Sequence, residues 1–159
     1  MTQGENRMGS FPDNPRDAES GADFARLITR HEGCRSHPYL DDVGKITIGV
    51  GRNLSDRGLA EDEILLLLEN DMTLAQQICE AQYGAAFARA GRRRQLALMS
   101  MAFNLGAPRL GGFRRMRAAI QSGDWHQAAR EALDSRWASQ VGTRAGEIAD
   151  MLCSTKPMP

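Results

Sequence analysis

Residues 31–51 read HEGCRSHPYLDDVGKITIGVG, and the two sides of this stretch follow different periodicities. Leading into it, Phe24, Leu27, Ile28 and His31 recur at i, i+3, i+4 and i+7, so a helix is expected from about Asp23 to Glu32, with Gly33 as its stop. From Tyr39 to Gly51 the chain breaks into short apolar and β-branched pieces. Asp41, Asp42, Gly44 and Lys45 have the chemistry of a turn, and Ile46, Thr47, Ile48 and Val50 that of a strand. A helix thus runs into a small hairpin or sheet, which excludes a doubly wound parallel core.

Working outward, the turn residues Asn53 to Gly58 precede the acidic run Glu61, Asp62, Glu63, which favours a helix N-terminus and opens one long helix expected to reach about Ala81. Within it, Leu65 to Leu68 reads as core, being far too short to span a membrane. From Arg92 to Cys153 the pattern is helical, with breaks expected at Gly106–Gly112, Ser122–Asp124 and Ser139–Thr143. Asp124 suits the N-cap of WHQAAREAL. At the other end, residues 1–20 mix Gly, Pro, Asn, Asp and Ser around a single Phe and read as a loose arm before a domain over 21–159.

The fold class expected is therefore α+β with two lobes. A small lobe of about 33–60 carries the hairpin, a connecting helix spans about 61–81, and a helical lobe of about 82–155 takes in the first helix, with a cleft between the lobes.

A chain of 159 residues, 42% hydrophobic and 25% charged, has the size and balance of one ordinary globular domain. Its 20 basic and 20 acidic residues cancel, so no global field draws it onto nucleic acid or an anionic membrane. A local basic patch remains, with Arg92, Arg93 and Arg94 at a helix start and Arg109, Arg114, Arg115 and Arg117 further on; it could attract an anionic polymer. No apolar run is long enough for membrane insertion, and the first residues lack a signal peptide's basic start and apolar stretch. Cys34, Cys79 and Cys153 are an odd number at wide spacing and read as reduced thiols. Nor do His31, His37 and His126 sit at metal-ligand spacing, so no metal and no cofactor is expected. A monomer is the expected state.

The chemistry is offered by two carboxyls in unlike settings. Glu32, at the C-terminal end of a helix, faces the negative end of the backbone dipole, which suits a group that must carry a proton. Asp41, in a turn with backbone donors within reach, suits a carboxylate that stays ionised. Glycoside hydrolysis uses such pairs. Helix ends and turns carry acids for purely structural reasons as well, and the two residues alone do not separate these readings.

Read whole, RHEGCRSHPYLDDVGKITIGVGRNLSDRGLAEDE (30–63) resembles the signature region of the T-even-type phage lysozymes, glycoside hydrolase family 24: Glu-Gly, then Tyr and Asp, then Gly followed by Thr-Ile-Gly-x-Gly. The resemblance implies a muramidase acting on the β-1,4 bond between N-acetylmuramic acid and N-acetylglucosamine in peptidoglycan glycan strands. Glu32 is then the general acid, with Asp41 and Thr47 holding the hydrolytic water, and the outcome is inverting. It extends through SMAFNLGAPRLGGF and DSRWASQVGTRAGE, which implies that Asn104 and Phe113, with Tyr39, line the substrate site and that Arg144 pairs with the acid. Arg52, the short stretch 53–60, Asn104 in place of a Gln and the N-terminal arm depart from the family's pattern. The role implied is that of an endolysin held in the host cytoplasm until released to the periplasm. Two rivals stand beside it: a lytic transglycosylase, which needs no second carboxylate, and a module that binds peptidoglycan or a partner without turnover.

Overall fold

The computed structural model describes residues 18–154. Most of the arm expected over 1–20 lies outside the described residues. Helix α1 spans Ala18–Glu32, beginning ahead of the expected Asp23. Strands β1 (Arg35–Leu40), β2 (Ile46–Gly49) and β3 (Arg52–Asn53) form an antiparallel sheet in the order β1-β2-β3. Seven helices follow: α2 (Glu61–Tyr83), α3 (Ala85–Ala88), α4 (Arg92–Gly111), α5 (Arg114–Ser122), α6 (Trp125–Leu133), α7 (Arg136–Val141) and α8 (Thr143–Cys153). The architecture is α+β, helical apart from one small sheet.

The chain divides into two compact units, at Ala60 and Glu61. In the first, α1 is grouped with the sheet, where the sequence reading places that helix with the helical lobe. The register of β1 on β2 pairs Tyr39 with Thr47 and Leu40 with Ile46, but Arg35 with Gly49, so β1 carries an irregularity between Arg35 and Tyr39. Extra residues on one strand bend it locally without losing the pairing on either side. Thr47, in the middle strand, pairs with both Tyr39 and Asn53.

In the second unit α2 packs on α4, α4 on α8, and α6 on both α5 and α8. Its core includes Leu98, Met101, Leu110, Met116, Ile120 and Leu152, with Cys79 and Trp137. Where α6 meets α8, both helices bury small residues, Ala128, Ala129 and Ala132 on one and Ala145 and Ala149 on the other, which lets the backbones approach closely. Asp124 caps α6 by accepting the Gln127 N–H at 2.8 Å, as its position suggests. Arg94 stacks over Trp125, 4.6 Å from the ring centroid, and donates to the Leu152 carbonyl at 2.9 Å, which ties the start of α4 to α6 and α8.

Two expectations are corrected. The break at Gly106–Gly112 is a kink, because α4 continues to Gly111 around Gly106 (φ 67°, ψ 170°), with Pro108 just beyond. Leu65 to Leu68 are exposed, whereas further along α2 Ala75, Cys79 and Tyr83 are buried. Consecutive helical residues step by about 100°, so a run of four leucines encircles the helix and cannot all face one core.

Candidate active site

Glu32 is the last residue of α1. The helix stops there because Gly33 takes φ +72°, a left-handed conformation that costs glycine little, and its N–H closes on the Thr29 carbonyl at 2.9 Å. The Glu32 side chain is left exposed at a chain reversal. Across from it lies the turn joining β2 to β3: a Cβ built on Gly51 (φ +78°) would stand 4.0 Å from both Cγ and Oε2 of Glu32. Backbone therefore approaches the acid to within ordinary contact, and it is the left-handed φ of Gly51, not lack of space, that calls for glycine there.

Asp41 is held by its own turn. Its N–H donates to the Lys45 carbonyl and its carbonyl accepts from Gly44 N–H, both at 2.9 Å. The Oδ1 atom accepts the backbone N–H groups of Val43 (3.1 Å) and Lys45 (2.8 Å). One carboxylate oxygen is thus fixed by two amides, which sets the direction of the other oxygen.

That other oxygen, Oδ2, lies 3.4 Å from the Thr47 hydroxyl, which can alternatively donate to the Lys45 carbonyl at 3.3 Å. Thr47 is only 4% exposed. With one proton and two long, competing acceptors, the hydroxyl is positioned but not locked. The half-buried Tyr39, opposite Thr47 on β1, carries the Arg35 guanidinium 4.4 Å above its ring centroid. The structure thus assembles Asp41, Thr47 and Tyr39 on one hairpin, with Glu32 at the helix end that leads into it.

Sequence reasoning missed what braces this hairpin. Ser55 Oγ accepts the Ile46 N–H at 2.9 Å, and Leu54 N–H reaches the Ile46 carbonyl at 2.7 Å. Asp56 takes Lys45 Nζ on one oxygen (2.9 Å) and Asn53 Nδ2 on the other (3.1 Å), while its own N–H bonds Asn53 Oδ1 at 2.9 Å. Solvent-facing pairs of this kind contribute below about 1 kcal/mol each, so their part is to fix the turn that presents Asp41. The legible signal was the run NLSD at 53–56, whose Asn, Ser and Asp bond readily to nearby backbone.

The remaining candidates lie in the helical unit. Asn104 Oδ1 accepts the Trp137 indole N–H at 2.8 Å, and Phe113 meets Trp137 edge-on, with centroids 6.3 Å apart at 80°. The Asn104 amide is oriented by a buried ring, and its NH2 group is left for other partners. Arg144 donates through Nη2 to Ser100 Oγ (2.9 Å) and to the Ser100 carbonyl (3.3 Å). Among the described residues, no group of three His, Cys, Asp or Glu side chains is arranged to hold a metal ion, and no helix is long and apolar enough to cross a membrane.

Comparison with known proteins adds two findings. A family model described as phage lysozyme matches residues 29–150, which take in every candidate site residue. The pre-baseplate central spike protein Gp5 of Enterobacteria phage T4 is 27% identical over 161 residues, an alignment covering 84% of this chain and 28% of that protein. The chain therefore spans well under a third of the length of this relative.

Proposed function

The chain belongs to the phage lysozyme family, and on that premise we propose that it hydrolyses the β-1,4 bond between N-acetylmuramic acid and N-acetylglucosamine in peptidoglycan. The observation that carries the reading is the arrangement at Asp41: Oδ1 is held by two backbone amides and Oδ2 faces the Thr47 hydroxyl. A carboxylate so tied is a poor nucleophile but a well-placed base, able to share a water with the hydroxyl beside it.

In this reading Glu32 protonates the glycosidic oxygen as the sugar develops oxocarbenium character. Asp41 takes a proton from the water that attacks the anomeric carbon, and Thr47 holds that water. Asn104, Phe113 and Tyr39 contact the glycan strand, and Arg144 pairs with the acid. Release to the periplasm from the host cytoplasm, as an endolysin, is the setting we propose.

The test is Glu32→Gln, which keeps size and polarity but cannot give up a proton in the same way. Clearing of chloroform-treated Gram-negative cells should fall by about 10² to 10⁴, with the melting curve nearly unchanged. Wild-type clearing by this variant would end the assignment. Binding to peptidoglycan without clearing, in the unaltered chain, would leave a module that recognises the wall and does not cut it.

A further inference from the structure

Helix α4 changes direction at Gly106, whose φ of 67° and ψ of 170° leave the helical region, so the residues on either side do not share one helical frame. Asn104 stands just before this kink and Phe113 just past the end of α4, yet both meet Trp137, one through the 2.8 Å hydrogen bond and the other edge-on. The angle at Gly106 therefore decides whether both reach that ring at once. A third tie comes from α2. Gln82 Nε2 donates to the Ala107 carbonyl at 2.8 Å, and a Cβ built on Gly111, one turn further on, would lie 3.6 Å from the same nitrogen. The Gln82 amide thus rests along the turn that follows the kink. Because a carbonyl only accepts, this bond takes the NH2 side of the amide and turns Oε1 away, where it is buried and finds no partner among the described residues. An apolar side chain of the same length would bury no unsatisfied acceptor, so stability gives no reason for an amide here.

We infer that Gln82 is a positioning residue for the glycan site: it holds the segment after Gly106 against α2 and so keeps Asn104 aimed at the sugar. The inference rests on the muramidase reading given above and on the glycan contact assigned there to Asn104. Since Asn104 Oδ1 is spent on Trp137, the NH2 group is what it can offer a sugar, and the aim of that group follows the backbone on which it stands. A bond that fixes the kink does its part before substrate arrives. Its loss costs binding and leaves proton transfer at Glu32 and Asp41 untouched.

The test is Gln82→Met in the full chain, which keeps the length of the side chain and removes the amide. Ala107 is exposed, so water can take the vacated bond to its carbonyl, and the melting temperature should stay within a few degrees of the parent. The KM for soluble glycan strands should rise about tenfold while kcat changes by less than about twofold. In an Asn104→Ala chain the same substitution should add less than about twofold, because its effect passes through Asn104. An unchanged KM would overturn the inference. So would a melting temperature well below the parent's, or the same loss recurring in the Asn104→Ala chain, since either would make the amide a general support of the fold. If the unaltered chain cleaves no glycan, the muramidase reading fails by itself, and the same variants are compared by glycan binding followed through tryptophan fluorescence. A complex about tenfold weaker for Gln82→Met would then keep the assignment of Gln82, and equal complexes would end it. An unaltered chain that neither cleaves nor binds glycan would end both readings.

Discussion

The Thr47 hydroxyl stands 3.4 Å from the one oxygen of Asp41 that no backbone amide occupies. Removing that hydroxyl without changing the shape of the side chain isolates its chemical part. Thr47→Val keeps a β-branched residue in the middle strand, and nothing buried is left without a donor it needs. Clearing activity should drop by at least about tenfold with the melting temperature within a few degrees of the parent. An active Thr47→Val protein would remove Thr47 from the mechanism.

The same geometry bears on stereochemistry. A carboxylate with one oxygen held by two amides is poorly placed to swing onto the anomeric carbon, and in the proposed mechanism water held between it and Thr47 attacks instead. Single displacement by water inverts the configuration. Proton NMR of the early digest, taken before mutarotation, should therefore show the α-anomer from the β-linked strand. A β-anomer appearing first would mean that Asp41 is a nucleophile, and a 1,6-anhydro product would mean a transglycosylase.

Tyr83 is 4% exposed, and its hydroxyl finds no partner among the described residues. A buried hydroxyl without a partner costs more than it returns, so Tyr83→Phe should stabilise the fold by about 1 kcal/mol, raising the melting temperature by ~2–6 °C. Chemical denaturation checks this directly. A less stable Tyr83→Phe protein would reveal a bond to that oxygen.

Cys79, fully buried, has its thiol pushed up from 9.0 to about 12, first by burial and then by the nearby Glu80 carboxylate. Below pH 9 the thiol is protonated in both folded and unfolded chains and stability is unaffected. Between pH 9 and 12 the unfolded chain loses this proton while the folded chain keeps it, so stability falls as pH rises through that window. Cys79→Ala should start from a lower stability, having lost buried volume, yet decline less steeply by about 1.4 kcal/mol per pH unit. Urea titrations at pH 8, 10 and 11 compare the slopes, and equal slopes would refute the burial of this thiol. Burial also pushes the Tyr83 phenol up, so the single substitution removes only part of the alkaline loss.

Where a local signal decides the structure, the sequence was readable. Glu32-Gly33 ended a helix, Asp124 capped one, and Asp41 to Lys45 made the turn before Thr47. What escaped was set by less local causes. Ala18 to Ser20 join α1 ahead of the apolar repeat that starts at Phe24, so periodicity could not see them. Strand β3 is two polar residues, Arg52 and Asn53, that pair only because β2 is already there to receive them. The leucines at 65–68 looked like core by composition alone, while their positions around the helix were never compatible with a single buried face. Within the candidate site, helix-end and turn chemistry offered Glu32 and Asp41, Thr47 and Tyr39 came in as candidates only with the family resemblance, and the brace from Asn53, Ser55 and Asp56 was not legible, since polar loop residues have many possible partners.

Because Glu32 ends α1, it is fixed in rotation to the half-buried face formed by Ala22, Ala25, Ile28 and Thr29. One residue added inside that helix would turn the face by about 100° relative to the acid, and two added turns, about seven residues, would nearly restore it. No such phase binds the connection from β3 to α2, which carries no helical register. A length change between Arg57 and Ala60 therefore shifts no helical phase, whereas inside α1 it comes in helical turns or at the expense of the acid's aim.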